Sequence, residues 1–238
     1  MADHIGYGFT RVRLALGAFA LPALLSACTT TQAAKPELVG GRCAYLAPSV
    51  CSKLVPGDGV ALRYRAPNVD WKKYSKVFVS PVLSYGGEER KIPAQDSQFL
   101  ANYMHEAFEQ QFAAKGFQVV EDPGPGVIKV QAAIVDPEAA VPILRTVSMV
   151  VPQARALATL KLLATDSYPF VGGVGGELEV TDSQTGELLG AGVDRRIGGG
   201  NITTAAQWQW GDAENVMDHW AELVATRLRN LHDGTVPN

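Results

Sequence analysis

This 238-residue chain contains three cysteines, at positions 28, 43 and 51, and their thiols are its most reactive side chains. A cysteine thiolate is a nucleophile that can accept a covalent group or pair with a second cysteine. The first of them ends the tetrapeptide Leu25-Ser26-Ala27-Cys28, in which an aliphatic residue and two small residues precede the thiol. Cys28 is therefore a candidate acceptor for a covalent group.

The segment ahead of Cys28 has the pattern of a secretory signal peptide. Arg11 and Arg13 form a positive flank, and an apolar run extends from Leu14 to Leu25. A membrane-spanning helix needs about 20 apolar residues, which this run does not reach. We therefore predict a signal peptide over residues 1–27 rather than a transmembrane helix.

The tetrapeptide at the end of this signal resembles the lipobox of bacterial lipoprotein precursors. The resemblance implies that a peptidase closes around the small residues and cleaves after Ala27, and that Cys28 receives a diacylglyceryl group on its thiol and an acyl chain such as palmitate on its new amino group. It implies no cofactor other than this covalent lipid. The small polar residues from Thr29 to Lys35 predict a flexible tether, and we assign residues 28–42 to it. Thr29 rather than Asp follows the cysteine, which favours the outer membrane. The alternative is an ordinary secreted protein with a chance cysteine at this position.

Cys43 and Cys51 are predicted to form a disulfide, because secreted proteins fold in an oxidising compartment. The bridge requires a bend in the intervening chain, which contains Pro48. In one straight helix the two residues would lie about 12 Å apart, whereas bridged Cα atoms lie within about 7 Å. The alternative is a pair of free or buried thiols.

The remaining reactive side chains do not form a recognisable catalytic or metal-binding pattern. The chain has no G-x-S-x-G motif, and His105 and His219 lie within amphipathic helical segments, with His232 at a helix end. The cysteines lack the C-x-x-C spacing of zinc sites. Glu177 and Glu179 share one strand face, where carboxylates usually serve solubility. We therefore expect a protein that is not an enzyme and that binds no metal.

Two groups of charged residues are candidates for an interaction. The tripeptide Asp194-Arg195-Arg196 could bind an anion, a glycan or a partner's carboxylate, or it could form an internal ion pair that pins a hairpin to the sheet. The segment from Ala139 to Thr165 is rich in apolar residues and has no acidic residue, but it carries Arg145, Arg155 and Lys161. It could face a membrane or a partner, or it could close the core while its basic ends reach solvent.

Composition and hydrophobic periodicity define the framework that must position these residues. With 47% hydrophobic and 19% charged residues the chain can bury a core, and its net charge of −3 argues against a nucleic-acid partner. Alternation predicts strands near 60–65, 77–82, 117–120 and 128–134, and a hairpin of 176–181 with 187–195. Helical spacing predicts a helix that Asp96 caps and Gly116 ends, and another over 216–231. We predict one α+β domain over residues 43–238, a single mixed sheet with two or three helices mainly on one face.

Several short motifs occur in order between residues 60 and 231. They are Tyr64-Arg65-x-Pro67, Tyr74-x-x-Val77-x-Val79-x-Pro81-Val82, the run from Leu144 to Pro152, Gly173, Glu177-x-Glu179-x-x-Asp182-Ser183-x-Thr185-Gly186-Glu187, Val193-Asp194-Arg195-Arg196 and Trp210-Gly211-Asp212. Together they resemble the bacterial lipoprotein family labelled DUF3313, for which no activity is established. The Cys43 and Cys51 pair departs from the family pattern.

These patterns predict the location of the protein more sharply than its activity. We expect a lipid-anchored outer-membrane lipoprotein on the periplasmic side, acting as a non-enzymatic interaction or scaffold module of an envelope system. Its partner would be an envelope protein or further copies of itself. The alternative is a binder of a small ligand or a cell-wall glycan, with a pocket lined by Tyr168, Phe170, Trp208 and Trp210.

Overall fold

The computed structural model describes residues 31–36, 38, 41–85, 92–138, 173–198 and 210–236, in which a mixed β-sheet is the central element. Its strands are β1 (Thr31–Ala34), β2 (Val55–Pro56), β3 (Leu62–Arg65), β4 (Lys76–Val79), β5 (Leu83–Tyr85), β6 (Gln118–Val119), β7 (Val127–Glu138), β8 (Gly173–Asp182) and β9 (Leu188–Gly198). The helices are α1 (Pro48–Cys51), α2 (Ala94–Ala114) and α3 (Gly211–Asp233). The predicted α+β class with one mixed sheet is confirmed.

The long strands β7, β8 and β9 run antiparallel to one another and form the centre of the sheet. The order of strands is β2-β3-β9-β8-β7-β4-β6, with β4 parallel to both β7 and β6. Two strands extend these edges, because β1 pairs with β9 beyond the end of β3, and β5 pairs with β7 beyond the end of β4. Each outer edge of the central strands is therefore covered by two short strands in succession.

One face of the sheet is covered by α2 and α3, as the periodicity of both segments predicts. Alternate residues of β7, namely Ile128, Val130, Ala132 and Ile134, are buried in the same cluster as Phe108 of α2 and Trp220 of α3. The two helices also contact each other, and the Tyr103 hydroxyl donates to both carboxylate oxygens of Asp218 at 3.1 Å. None of the helices in the described part of the chain is long and apolar enough to cross a membrane.

The start of α2 differs from the prediction. Asp96 was expected to cap the helix, but Pro93 occupies the cap position and Asp96 lies within the first turn. Its carboxylate instead accepts a hydrogen bond from the Trp210 indole Nε1 at 2.9 Å. The acidic side chain still lies in the first turn, where a negative charge is favourable, but its hydrogen bond links α2 to the residue that precedes α3.

The opposite face of the sheet is covered by residues 41–54, which we call the strap. Leu46 of the strap is buried against Ala191 and Val193 of β9. The Glu177 carboxylate of β8 accepts three backbone hydrogen bonds from the strap, from Ala44 at 2.6 Å and from the next two residues at 2.8 Å each. Glu177 is only 3% exposed, so the solvent-exposed role expected for this carboxylate is wrong. It holds the strap to the sheet.

The strap is closed on itself by a disulfide between Cys43 and Cys51, with an S–S distance of 2.02 Å and Cα atoms 5.9 Å apart. The required bend is made by residues 44–47, and only the last four residues of the loop form the helical turn α1. The Cys43 backbone N–H also donates to the Cys51 sulfur at 3.0 Å.

Part of the expected tether belongs to the sheet. Thr31–Ala34 forms β1 and pairs with residues 195–198 of β9, although residues 28–42 were expected to link lipid and domain without regular structure. These small polar residues have no strand pattern of their own. They are ordered by the β9 edge left open beyond β3, because strand formation depends strongly on tertiary context.

Substituting Glu177 by Gln should lower the free energy of unfolding by about 1–3 kcal/mol, because an amide NH₂ cannot accept the buried N–H groups of the strap. Glu179→Gln is the matched control on the same face of β8. Chemical denaturation of both variants measures the difference. Equal stability of the two variants would show that the contacts of the strap with Glu177 contribute nothing.

The turn between β8 and β9 is organised by the buried Asp182 carboxylate. It accepts hydrogen bonds from the Tyr74 hydroxyl at 2.8 Å and from the backbone N–H groups of Gln184 and Thr185 at 3.0 Å each. Burial alone would raise the pKa of Asp182, but these hydrogen bonds, together with one from Lys73, outweigh it and hold the pKa well below its usual range.

A carboxylate with a depressed folded-state pKa stabilises the protein above its unfolded-state pKa and loses that contribution as pH falls. Between about pH 5 and pH 2 the stability of the wild type should therefore fall more steeply than that of Asp182→Asn. Urea unfolding midpoints measured across this range test the difference. Parallel pH profiles for the two proteins would rule out the role given to Asp182.

Candidate functional site: an apolar cavity beneath helix α3

The tripeptide expected to interact with a partner lies inside the protein. Asp194, Arg195 and Arg196 are 5%, 7% and 8% exposed. Asp194 and Arg196 form an ion pair, with Arg196 Nε donating to the Asp194 carboxylate at 2.9 Å. The interpretation of these side chains as a surface binding site is therefore wrong. The alternative, an internal ion pair, matches the observed geometry.

The Asp194 carboxylate joins segments that are far apart in sequence. It accepts hydrogen bonds from the Trp220 indole of α3 at 2.9 Å and from the Ala61 backbone at 3.0 Å. Arg196 continues the network, donating to the Gly59 carbonyl at 3.0 Å and to the Thr31 hydroxyl of β1 at 3.4 Å. The pair thereby connects β9 with α3, β1 and the loop ahead of β3.

The other residues singled out in the sequence lie outside the described part of the chain. They are Ala27 and Cys28 at the cleavage site, the basic residues Arg145, Arg155 and Lys161, and the aromatic residues Tyr168, Phe170 and Trp208. The remaining aromatic of that group, Trp210, is 1% exposed, and its indole is engaged with Asp96. Trp210 is not among the described residues that line the cavity presented next.

A cavity of about 400 Å³ lies between α3 and the strands β3, β8 and β9. Its walls are mainly apolar side chains, namely Trp71, Met104, Phe108, Leu178, Val180, Leu189, Leu223, Val224, Leu228 and Leu231. This volume falls in the range of about 300–1,000 Å³ that is typical of small-molecule sites. It is the strongest candidate for a binding site in the described residues.

The floor of the cavity is open because glycines stand where side chains would fill it. A bulge at Leu189 shifts the pairing of β9, so that Gly190 and Gly192 share a face with their β8 partners Val180 and Leu178. A Cβ atom at Gly192 would meet only the Leu62 carbonyl, at 3.7 Å. The helix-facing side of β9 therefore contributes almost no side-chain volume at these positions.

Arginines of β3 and α3 line the same cavity. Arg63 and Arg65 pair with Gly192 and Gly190 across β3 and β9, so all four residues share the helix-facing side. Both arginines are exposed, and Arg227 of α3 joins them in lining the cavity. Burial, and to a lesser extent the like charge of Arg63, lower the pKa of Arg227. The Arg227 guanidinium donates to the Asp58 carbonyl.

Trp71 lines the cavity, and its indole contains a buried donor without a partner among the described residues. Trp71 is 4% exposed, and its buried Nε1–H has no hydrogen-bond partner among the described residues. Buried polar groups are nearly always hydrogen-bonded, so an unpaired indole N–H requires an explanation. The described residues contain no cluster of His, Cys, Asp and Glu that could hold a metal ion.

The cavity was not predicted from the sequence, although the sequence contains a signal for it. The run Leu189-Gly190-Ala191-Gly192-Val193 places glycine at every second position of a strand. Such a pattern removes side chains from one face only. The run alone does not show which face of the sheet lacks side chains, because the bulge at Leu189 determines that face.

Two glycines of this region should respond oppositely to alanine. A Cβ atom at Gly176 would lie 2.6 Å from the Trp220 ring, whereas one at Gly192 meets ordinary contact distances. Gly176→Ala should therefore destabilise the fold by about 1–3 kcal/mol through overpacking. Gly192→Ala should be neutral or stabilising by up to about 1 kcal/mol. Thermal unfolding distinguishes them, and equal losses for both would contradict the open floor described for Gly192.

Comparisons with solved structures found remote similarities. The chain is similar to PelC of Paraburkholderia phytofirmans, solved as a dodecamer, with 12% identity, a TM-score of 0.42, and coverage of 70% of this chain and 94% of that one. It is also similar to a DUF4136 family protein from Bacteroides thetaiotaomicron VPI-5482, with 11% identity, a TM-score of 0.35, and coverage of 70% and 95%. A comparison with curated proteins found no match.

The sequence motifs that suggested a family extend through the described fold, from β3 to α3. A family model matches residues 47–224, which include most of the strap, the central strands, the Asp194 network and more than half of α3. The match covers well over half of the chain, and the chain therefore belongs to the family described as "Protein of unknown function (DUF3313)".

Proposed function

We propose that this protein is a lipid-anchored lipoprotein of the outer membrane, facing the periplasm, that acts as a non-enzymatic interaction module of the cell envelope. The observation that carries the proposal is the tetrapeptide Leu25-Ser26-Ala27-Cys28 at the end of a short apolar run. In this proposal Cys28 carries the lipid, and Thr29 after it favours the outer membrane over the inner one.

The position of β1 supports a module held close to the membrane. Thr31 already pairs with Gly198 of the sheet, and only residues 29 and 30 separate it from Cys28. Three Cα-to-Cα steps span at most about 11 Å. A lipid on Cys28 would therefore hold this end of the sheet near the bilayer surface instead of letting the domain range on a long tether.

Strand ends at this side of the sheet flank the basic apolar segment that the sequence singled out. Gly173 at the start of β8 pairs with Glu138 at the end of β7 and with Ile197 near the end of β9. These ends lie beside Thr31, so the chain that carries Arg145, Arg155 and Lys161 leaves and re-enters the fold at the same end as the proposed anchor. This neighbourhood supports a partner or membrane contact for the three basic residues.

Substitution of Cys28 by Ala should abolish incorporation of labelled palmitate and release the protein from the outer-membrane fraction, because no other cysteine follows a lipobox. The matched control is the double variant Cys43→Ser, Cys51→Ser, which removes two thiols but should keep both label and membrane association. Labelling followed by membrane fractionation measures both. Palmitate that remains on the Cys28→Ala protein would refute the anchor.

Crosslinking in the same cells tests the interaction part of the proposal. The wild type should give a discrete crosslinked species containing an envelope protein or further copies of this chain, and Cys28→Ala should lose it. A wild-type protein that stays uncrosslinked while correctly anchored would contradict the interaction module without contradicting the lipid anchor.

The alternative function, a small-ligand binder, is favoured by a separate observation, the cavity beneath α3.

A further inference from the structure

The cavity beneath α3 has the size and lining of a ligand site and not of a packing defect. Its volume is about 400 Å³, far larger than the space of about 30 Å³ that one water occupies in the liquid. Apolar side chains from β8, α2 and α3 surround it, and apolar surface of this kind is most stable when covered by apolar atoms. An apolar ligand portion would supply those atoms.

The glycines of β9 create this space at a place where larger residues would fit. Gly192 has no steric need to be glycine, since a Cβ atom there meets nothing closer than 3.7 Å and its φ is not in the left-handed region. Gly190 is similar, with the nearest atom at 3.4 Å. Strands disfavour glycine because it has no side chain to pack and loses the most conformational freedom. A ligand that fills the space left by Gly190 and Gly192 would explain why both positions are glycine.

The charges around the cavity select the sign of the polar part of the ligand. Among the described residues, Arg63 and Arg65 of β3 and Arg227 of α3 line it together with one exposed acid, Asp58. Two further acids contribute to the lining, but Glu177 faces the strap on the other side of β8 and Asp194 is paired with Arg196. Among the described residues, the β3 side of the cavity therefore carries more positive than negative groups, and guanidinium groups bind carboxylate and phosphate groups well.

We propose that this cavity binds a single-chain amphiphile, with its hydrocarbon chain between α3 and the glycine floor of β9 and its anionic head group at Arg63 and Arg65. Leu178, Val180 and Leu223 cover the chain. The assignment does not depend on the lipid anchor, and it names a chemical class, an acyl or alkyl chain ending in a carboxylate or a phosphate.

Binding is tested on the purified full-length chain carrying Cys28→Ser, so that no attached lipid competes. Calorimetric titration with dodecanoate and with dodecyl phosphate, both below their micellar concentrations, should give saturable binding at one site. The tighter of the two identifies the head group as carboxylate or phosphate. Dodecanol and dodecyltrimethylammonium have the same chain with a neutral or a positive head, and they should bind about tenfold more weakly or worse.

Two pairs of variants assign the binding to this cavity. Gly192→Val fills the floor and should weaken dodecanoate by about tenfold or more, while Gly124→Val, at a glycine with no atom within 4 Å of the added Cβ, should bind as the wild type does. Arg63→Gln combined with Arg65→Gln should weaken dodecanoate but not dodecanol. Lys72→Gln removes an exposed cation that does not line the cavity and should change neither.

Circular dichroism and thermal unfolding establish that each variant is folded before it is titrated. Unchanged dodecanoate binding in folded Gly192→Val would overturn the assignment, and so would equal affinity for dodecanoate and dodecyltrimethylammonium. No binding of any of the four probes to the wild type would also overturn it and would indicate that the cavity is covered by another part of this chain or by a partner protein.

Discussion

The Asp194 carboxylate is the interaction on which the arrangement of the described domain depends. A buried carboxylate is tolerated only when its charge is paired and its oxygens are hydrogen-bonded. Asp194 meets this condition by drawing together an arginine of its own strand, the Trp220 indole of α3 and the Ala61 backbone ahead of β3. One charge thus fixes the positions of α3, β3 and β9 relative to one another. The spacing between α3 and β3, and with it the width of the cavity, follows from that placement.

The two faces of the sheet are covered by different kinds of structure. On one face the short strap packs a small apolar cluster around Leu46 on β9, is bound by polar contacts to Glu177 and is closed by its own disulfide. On the other face two long helices supply a large apolar surface, but Trp220 rests directly on Gly176 and keeps α3 at a fixed height. The small residues next along β9 then lie below a helix that cannot approach them further.

The sequence was informative where a single element decides the outcome. The period of the apolar residues located α2 and α3, and the Asp182–Gly186 turn located the hairpin of β8 and β9, because both depend on local chemistry. It failed where distant segments decide. Glu177 looks like a surface charge until the strap covers it, β1 has no strand pattern until the open edge of β9 orders it, and Asp194 and Arg196 look available until Trp220 and Ala61 enclose them. The cavity depends on both the glycine alternation and the bulge at Leu189, and only the alternation can be recognised from the sequence.

The pairing of β1 with β9 has a mechanical consequence for the proposed lipoprotein. A membrane-anchored domain is pulled and turned through its anchor whenever a partner moves it. Here that load would enter at Thr31, which accepts a hydrogen bond from Arg196, the ion-pair partner of Asp194. Force from the bilayer would therefore be transmitted through four residues of strand into the charge network that sets the position of α3, and tension on the anchor would act on the packing above the cavity.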